Sequence, residues 1–319
     1  MSAEKHRRHI FGPVHSRRLG RSLGVDLVPH KTCNLDCIYC ECGHTTNLQV
    51  DRSRFFPVEE LHTELDAFFS SSHESLDFVT FSGAGEPTLS LDLGPAVSFI
   101  HALTPMPVAL LTNGILLGRP DVLADVQEID VMIPSLDAAT ESMFRRINRP
   151  AEGVDFEEYR RGLRSLRNRV RAQIWLEILL IRSVNDTREH LELLADEIGR
   201  IAPHSIQINT VYRPGTVRTA EPLNDEELAG AATILSRHCP IVTSRIRMDT
   251  HITGPDPTPA IRSRILETVS RRPCSIGDLA VGLECDPDLV RGIVETLLSD
   301  GLIRRVKHVD GFYYHRVDT

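Results

Sequence analysis

Six short apolar runs alternate with six helix-like stretches over the first 240 residues, and this alternation restricts the fold more than any other feature. The runs cover residues 23–28, 76–81, 108–112, 129–135, 174–181 and 205–210. Helical patterns lie at 58–70, 92–103, 119–126, 156–170, 187–200 and 224–238. Strands separated by helices give βαβ units and a parallel sheet. Six such units predict an α/β fold, a partial (βα)6 barrel, assigned to residues 1–250. In parallel α/β folds ligands bind beyond the carboxyl ends of the strands. Functional motifs are therefore sought where strands end.

The pattern breaks at Thr253-Gly254-Pro255-Asp256-Pro257-Thr258-Pro259. A segment this rich in proline cannot continue a helix, so residues 251–258 read as a linker. Beyond it, residues 260–271, 275–282 and 286–300 look helical. Residues 302–306 and 312–317 flank a turn at Asp310-Gly311. Three short helices and a hairpin over 259–319 are the pattern of a winged helix. No internal repeat is visible.

Composition narrows the class. The chain of 319 residues is 41% hydrophobic and 25% charged, ordinary values for a folded soluble protein of about two domains. Its 36 Lys and Arg stand against 44 Asp and Glu, a net charge of −8. Such a balance argues against a protein that coats nucleic acid without specificity. No apolar run approaches the length of about 18 residues that a membrane span requires. The run at 175–181 is strand-length and carries Glu177. Residues 1–10 are polar and basic, without the apolar centre of a signal peptide. The expectation is a cytoplasmic protein with no membrane partner.

Seven cysteines are unevenly placed. Cys33, Cys37, Cys40 and Cys42 fall within ten residues, while Cys239, Cys274 and Cys285 are scattered. A tight cluster without a secretion signal points to metal rather than disulfides. The spacing C-x3-C-x2-C of Cys33, Cys37 and Cys40 lets one loop supply thiolates to three irons of a cubane cluster, leaving the fourth open to a small chelating molecule. Structural zinc is the plainer alternative, but it prefers paired C-x2-C knuckles and four ligands. Cys42 is two residues from Cys40, too close for easy chelation of the same cubane. A second cluster from Cys239, Cys274 and Cys285 would lack a fourth ligand, and buried free thiols are the simpler reading.

Polar residues collect at the expected strand ends. The second strand runs into Ser82-Gly83-Ala84-Gly85-Glu86-Pro87-Thr88. Gly83 and Gly85 permit close approach of backbone to a ligand, and Glu86 can accept from an ammonium group. The third strand ends in Thr112-Asn113-Gly114 and the fourth in Ser135-Leu136-Asp137. Thr112, Asn113, Ser135 and Asp137 can hydrogen-bond a ribose or a carboxylate. Helix capping by Asn113 or Asp137 is the plainer alternative. Asn185-Asp186 follows the fifth strand and reads more simply as an Asx turn or cap.

The run Cys33 to Cys40, with Tyr39 as its aromatic, resembles the C-x3-C-x-aromatic-C signature of the radical S-adenosylmethionine superfamily. The resemblance implies a [4Fe-4S] cluster on Cys33, Cys37 and Cys40 whose open iron binds the amino and carboxylate groups of S-adenosylmethionine. It also implies reductive cleavage to a 5′-deoxyadenosyl radical that abstracts hydrogen, and an electron donor such as flavodoxin or ferredoxin. Residues 83–86 are similar to the superfamily's GGE segment, with Ala84 interrupting the Gly-Gly pair. Residues 112–114 and 135–137 resemble its pocket-lining segments. Tyr39, Gly83, Gly85, Glu86, Thr112, Asn113, Ser135 and Asp137 are thus the expected cofactor pocket. Further segments, Phe11-Gly12-Pro13-Val14, Ser16-Arg17-Arg18-Leu19-Gly20-Arg21, Pro134 to Ala138 and Ile147-Asn148-Arg149-Pro150, resemble the iron–sulfur oxidoreductases grouped with wyosine-tRNA synthetases. No catalytic acid or base stands out.

Two segments are locally basic. Residues 1–31 carry seven Lys or Arg against Glu4 and Asp26, and residues 145–171 carry nine Arg against four acids. A phosphate-bearing substrate or RNA suits such segments. For 160–171 a solvated helix face is the simpler reading. Arg17, Arg18 and Arg21, just ahead of the first strand, are better placed for substrate. Residues 259–319 balance nine Lys and Arg against nine Asp and Glu. Three readings follow: an enzyme modifying RNA nucleosides, one modifying a peptide gripped by the winged helix, or an iron–sulfur sensor that binds DNA. The sensor has no need of the pocket segments at 83–86 and 112–114.

Overall fold

The computed structural model describes residues 9–16, 19–71, 75–241, 258–283, 285–309 and 311–317. Arg17, Arg18 and most of the expected linker, residues 251–257, lie outside the described residues.

The chain opens with an antiparallel pair, β1 (Ile10–Ser16) and β2 (Gly20–Val25). A short parallel pair follows, β3 (Thr32–Cys33) and β4 (Asn47–Leu48). Then come α1 (Val58–Ser71), β5 (Phe78–Phe81), a 3-10 turn (Pro87–Leu89), α2 (Leu93–Leu103) and β6 (Val108–Thr112). Next are α3 (Pro120–Asp125), β7 (Val131–Pro134), α4 (Glu141–Asn148), α5 (Phe156–Arg169), β8 (Gln173–Leu180), α6 (Arg188–Ile201), β9 (Ser205–Thr210) and α7 (Asp225–Leu235). The main sheet runs β1-β2-β5-β6-β7-β8-β9, and every pair from β2 onward is parallel. The six parallel strands curl into the expected partial barrel.

Both faces of this sheet are covered, which explains why its strands read as nearly continuous apolar runs. Leu110, Met132, Ile174 and Ile178 pack outward against Val97, Leu163 and Leu194 of the helices. The alternate residues face the lumen. There Leu19, Ala109, Val131, Ile133 and Trp175 plug its lower end. Helix starts are set locally. The side chains of Thr140, Asp155 and Thr187 accept from the backbone three residues on, and Asn224 with Glu227 closes a capping box.

Three differences from the sequence reading have physical causes. The first strand of the barrel ends at Val25 rather than residue 28. Leu27 and Val28 are apolar because they are buried beneath the cysteine loop, not because they continue a strand. β1 was not expected, since Gly12-Pro13 interrupts its pattern. It lies at the sheet edge, where proline's missing N–H is tolerated, and its register shifts between Phe11 and Val14. α4 is only eight residues long and buries just Phe144, Ile147 and Asn148.

The C-terminal unit comprises α8 (Thr258–Arg271), α9 (Ile276–Leu283), α10 (Pro287–Ser299) and a hairpin of β10 (Ile303–His308) and β11 (Gly311–Arg316). Thr258 and Pro259, expected at the linker boundary, lie in the first turn of α8. Ile261, Ile265, Leu279, Val290, Val294 and Tyr314 form a separate core. The unit docks on the barrel. Tyr313 Oη donates to Tyr212 O at 2.8 Å, and Arg264 Nη2 donates to Pro13 O at 3.3 Å. No helix among the described residues is long and apolar enough to cross a membrane.

Candidate functional site

The cysteine loop leaves β2, turns through Lys31 at positive φ, and enters β3. Backbone hydrogen bonds pin it on two sides. Lys31 N donates to Ala84 O at 2.7 Å and Glu86 N to Thr32 O at 3.0 Å. On the other side Asp36 N donates to Asn148 O at 3.0 Å and Ile38 N to Ile147 O at 2.9 Å. The glycine at 85 is required by this packing. A Cβ there would lie 2.3 Å from Thr32 O and 2.5 Å from Val28 Cγ2. A Cβ at Gly83 would meet the Asp26 carboxyl group at 2.4 Å. At both positions protein, rather than a ligand, occupies the space a side chain would take.

Cys33, Cys37 and Cys40 lie close enough for their charges to interact. Burial, and then Glu86, pushes the Cys33 thiol up to about 12, and burial holds Cys37 well above the ordinary thiol range. Cys40 is lowered, chiefly by a hydrogen bond with Cys42, and that bond with burial raises Cys42. Bound iron reverses this logic, because a metal-coordinated thiol is deprotonated outright.

The donors around the loop suit thiolates. Asn113 Nδ2 lies 3.5 Å from Cys33 Sγ, Asn148 Nδ2 lies 3.4 Å from Cys37 Sγ, and Leu35 N lies 3.4 Å from Cys33 Sγ. Such hydrogen bonds to ligand sulfur are the usual second sphere of an iron–sulfur centre. Asn34 Nδ2, buried and without a partner, lies in the same loop. The residues present therefore fit a cluster held by three thiolates. Among the described residues no three His, Cys, Asp or Glu side chains are grouped tightly enough to share one metal ion. Cys239 sits at the foot of the barrel against Pro203 O, whereas Cys274 and Cys285 belong to the C-terminal core.

The expected pocket residues divide into two sets. Glu86, Thr112 and Asn113 sit behind the cysteine loop. The buried Glu86 carboxylate accepts from Thr88 Oγ1 at 2.6 Å, Thr112 Oγ1 at 2.6 Å, Thr88 N at 3.1 Å and Asn113 N at 2.7 Å. It ties the end of β5 to the end of β6, so its hydrogen-bonding capacity is used within the protein. Burial, partly offset by these donors, raises its pKa. Tyr39, Cys40, Gly83, Ser135 and Asp137 instead line one cavity of about 910 Å³. Asp137 accepts from Tyr39 Oη, from Asn148 Nδ2 at 3.0 Å and from Leu179 N at 2.9 Å. Burial nevertheless raises its pKa to about 6. Asn185 is a fully buried brace, donating to Asp137 O and Leu179 O.

Four cavity or loop residues were not singled out from sequence. Asn148 holds both Cys37 and Asp137; it stands within the Ile147 to Pro150 segment. Glu177 and Asn209 face the cavity from β8 and β9 and are hydrogen-bonded to each other. The lone carboxylate in an apolar strand was their only sign. Arg213 left no sign at all. Its buried guanidinium bridges Glu41, between Cys40 and Cys42, and Asp278 on α9. Burial opposes its charge, but these two carboxylates more than offset that and hold it charged. In the basic segment at 145–171, Arg160 and Arg164 pair with the buried Glu197 rather than facing a ligand.

Residues 27–196 match the model of the Radical SAM superfamily, a span that starts just before the cysteine loop and includes every expected site residue. The chain belongs to the radical SAM superfamily. It is accordingly an enzyme of the iron–sulfur class, and its cofactors are a [4Fe-4S] cluster and S-adenosylmethionine. It also belongs with the UPF0026 proteins. One from Helicobacter pylori (strain J99) is 31% identical over 295 residues, covering 91% of this chain and 92% of that one. A protein named GTPase Obg from Brachyspira hyodysenteriae is 33% identical over 304 residues, covering 93% of this chain and 43% of the other. The chain thus spans less than half the length of that relative, and 66% of the UPF0026 protein MJ1312 of Methanocaldococcus jannaschii. The ribosomal RNA large subunit methyltransferase Cfr of Shouchella clausii is 23% identical over 203 residues, covering 59% and 54%. Among solved structures, a radical SAM methyltransferase from Sphaerobacter thermophilus shares the fold, with a TM-score of 0.53 at 16% identity over 69% of this chain and 65% of that one.

Proposed function

We propose that this chain cleaves S-adenosylmethionine reductively and directs the resulting radical at a nucleoside of RNA. The cavity carries the reading. It reaches from Cys40 and the carboxyl ends of the strands to Arg21 near the amino end of β2, and about 910 Å³ lies near the top of the range for ligand pockets, roughly 300–1,000 Å³. That is room for the cofactor and a second guest. When bound, the cluster supplies the electron that splits the sulfonium and so yields a 5′-deoxyadenosyl radical.

The chain's own residues bind, orient and shield. Cys33, Cys37 and Cys40 hold the cluster, with Asn113 and Asn148 donating to two of the three sulfurs. Tyr39 and Asn148 fix Asp137 at the cavity floor. Ser135, Glu177 and Asn209 give the floor polar groups that can orient hydroxyl and amine functions. The C-terminal unit forms the opposite wall, where it excludes water from a reactive intermediate.

The choice of RNA draws on the likeness to a ribosomal RNA methyltransferase and on the arginines that line the cavity. The test is chemical. RNA from cells lacking the gene is incubated with reconstituted enzyme, S-adenosylmethionine and reductant, then digested to nucleosides for mass spectrometry. A nucleoside mass that is absent before incubation and present after it is the expected result. Conversion of a peptide in the same lysate, with RNA nucleosides unchanged, overturns the reading.

A further inference from the structure

Helix α8 is amphipathic in an unusual direction. Ile261, Ile265 and Val269 point into the core of the C-terminal unit. Arg264, Glu267, Thr268 and Arg271 are spaced three to four residues apart and so form one stripe along the helix. A polar stripe of this kind ordinarily faces bulk water. Here all four residues are half-buried and line the cavity.

The stripe is held in place by β1. Arg264 Nη2 donates to Pro13 O at 3.3 Å, and the Arg271 guanidinium lies 4.3 Å over the Phe11 ring. Arg21, at the start of β2, and Arg272, just after α8, line the same cavity, where the neighbouring acids are Asp77, just before β5, and Glu267 on α8. The lining near the cysteine loop and on β7 and β8 has the opposite balance, with Asp137, Glu177, and Glu41 and Asp278 paired with Arg213. In a chain of net charge −8, the α8 side of the cavity, with Arg21, Arg264, Arg271 and Arg272, is a local concentration of guanidinium groups.

We propose that the polar face of α8 holds the phosphodiester of the RNA substrate, with Arg264 and Arg271 as its principal contacts, while the adjoining nucleoside enters toward Cys40. The inference rests on the RNA reading above and assigns the C-terminal unit a part in it. Guanidinium groups present paired N–H donors that match phosphate oxygens. Low-dielectric cavity walls focus their field toward the opening. An arginine plane stacked on an aromatic ring is also a surface on which an unpaired base can stack. The hairpin, by contrast, uses Tyr313 to dock on the barrel.

The test is fluorescence anisotropy with a fluorescein-labelled single-stranded RNA of mixed sequence. It uses the full-length, cluster-loaded protein at several KCl concentrations. Binding by the wild type is expected to weaken with salt, with a slope of about −0.7 per phosphate contact. Arg264→Gln with Arg271→Gln should lower affinity at least tenfold at low salt and flatten the slope by about 1.4. Arg264→Lys with Arg271→Lys should restore most of the slope, which a purely structural role for these side chains would not require. Arg305→Gln with Lys307→Gln in the hairpin should change affinity less than twofold. Iron content and melting temperature check that each variant is folded.

If RNA binds the wild type and the α8 glutamine variant with the same slope, the inference is overturned and the RNA reading stands. A lysine variant that loses the slope as fully as the glutamine variant also overturns it. If the wild type does not bind RNA at all, the RNA reading falls, and this inference falls with it.

Discussion

The floor and the far wall of the cavity are built by different means. The floor consists of turns that follow successive strands, and each polar group there is bound by a near neighbour in the fold. Asp137 gathers Tyr39, Asn148 and Leu179 on the floor itself, and behind the cysteine loop Glu86 gathers Thr88, Thr112 and Asn113. The far wall is attached by a few contacts between remote parts of the chain. Arg213 reaches Glu41 across 172 residues, and Arg264 reaches Pro13 across 251. The candidate cofactor residues therefore lie in short motifs at the strand ends. The wall that closes the chamber is tied down by a few long-range contacts, among them those of Arg213, Arg264 and Tyr313, so one substitution can loosen it without removing a cysteine.

The largest expected effect is at the principal bridge. Arg213→Met leaves the carboxylates of Glu41 and Asp278 facing each other without their cation. Removing one partner of a fully buried pair costs about 3–5 kcal/mol. Glu41 is 34% exposed, so about 2–3 kcal/mol is expected here, read as a lower denaturation midpoint for the C-terminal unit. An unchanged midpoint would mean that the wall does not depend on this bridge.

Gly85→Ala probes the support behind the floor. The added methyl group would lie against backbone that cannot move aside, so overpacking of about 1–3 kcal/mol is expected. Iron bound per chain after reconstitution should fall more steeply than helix content measured by circular dichroism. Equal losses would show that the floor and the rest of the barrel are not separable.

A smaller effect comes from Asp137. Its pKa in the folded protein, about 6, lies above the ordinary value of 3.8. A carboxyl group raised in this way contributes stability that is complete below about pH 3.8 and is lost as pH rises through about 6. Between pH 5 and pH 7 the loss is about 1 kcal/mol. The melting temperature of Asp137→Asn should therefore fall less between pH 5 and pH 7 than that of the wild type. Parallel pH profiles would contradict the burial argument. The smallest effect is expected at the hairpin's outer face, which belongs to neither wall. Arg305→Ser, which removes the guanidinium 4.5 Å over Phe312, should change stability by less than about 1 kcal/mol in a thermal melt.

The same contrast governs what could be read from the sequence. The cysteine loop, the strand ends and the six βα units were legible because their signals are local. These are the spacing of Cys33, Cys37 and Cys40, the glycines near Glu86, and apolar runs of strand length. The roles within the floor were less legible. Glu86 and Gly85 suit a ligand by their spacing, and their bracing of the loop stays hidden, because spacing shows which groups meet and not which of their atoms are already bonded. Arg213 and the cavity-facing stripe of α8 could not be found at all. An arginine after a strand, or one on an amphipathic helix, has no distinguishing pattern until its distant partner is in place. β1 escaped because Gly12-Pro13 hides an edge strand.

Cys33, Cys37 and Cys40 are expected to hold a cluster that cleaves S-adenosylmethionine. The most direct measurement is 5′-deoxyadenosine by mass spectrometry. Protein prepared without oxygen and reconstituted with iron and sulfide is mixed with dithionite and S-adenosylmethionine. Wild type is compared with Cys33→Ala/Cys37→Ala/Cys40→Ala. The wild type should give 5′-deoxyadenosine and the variant none above background. Equal product from both, or a wild-type protein that takes up zinc and assembles no cluster, would contradict it.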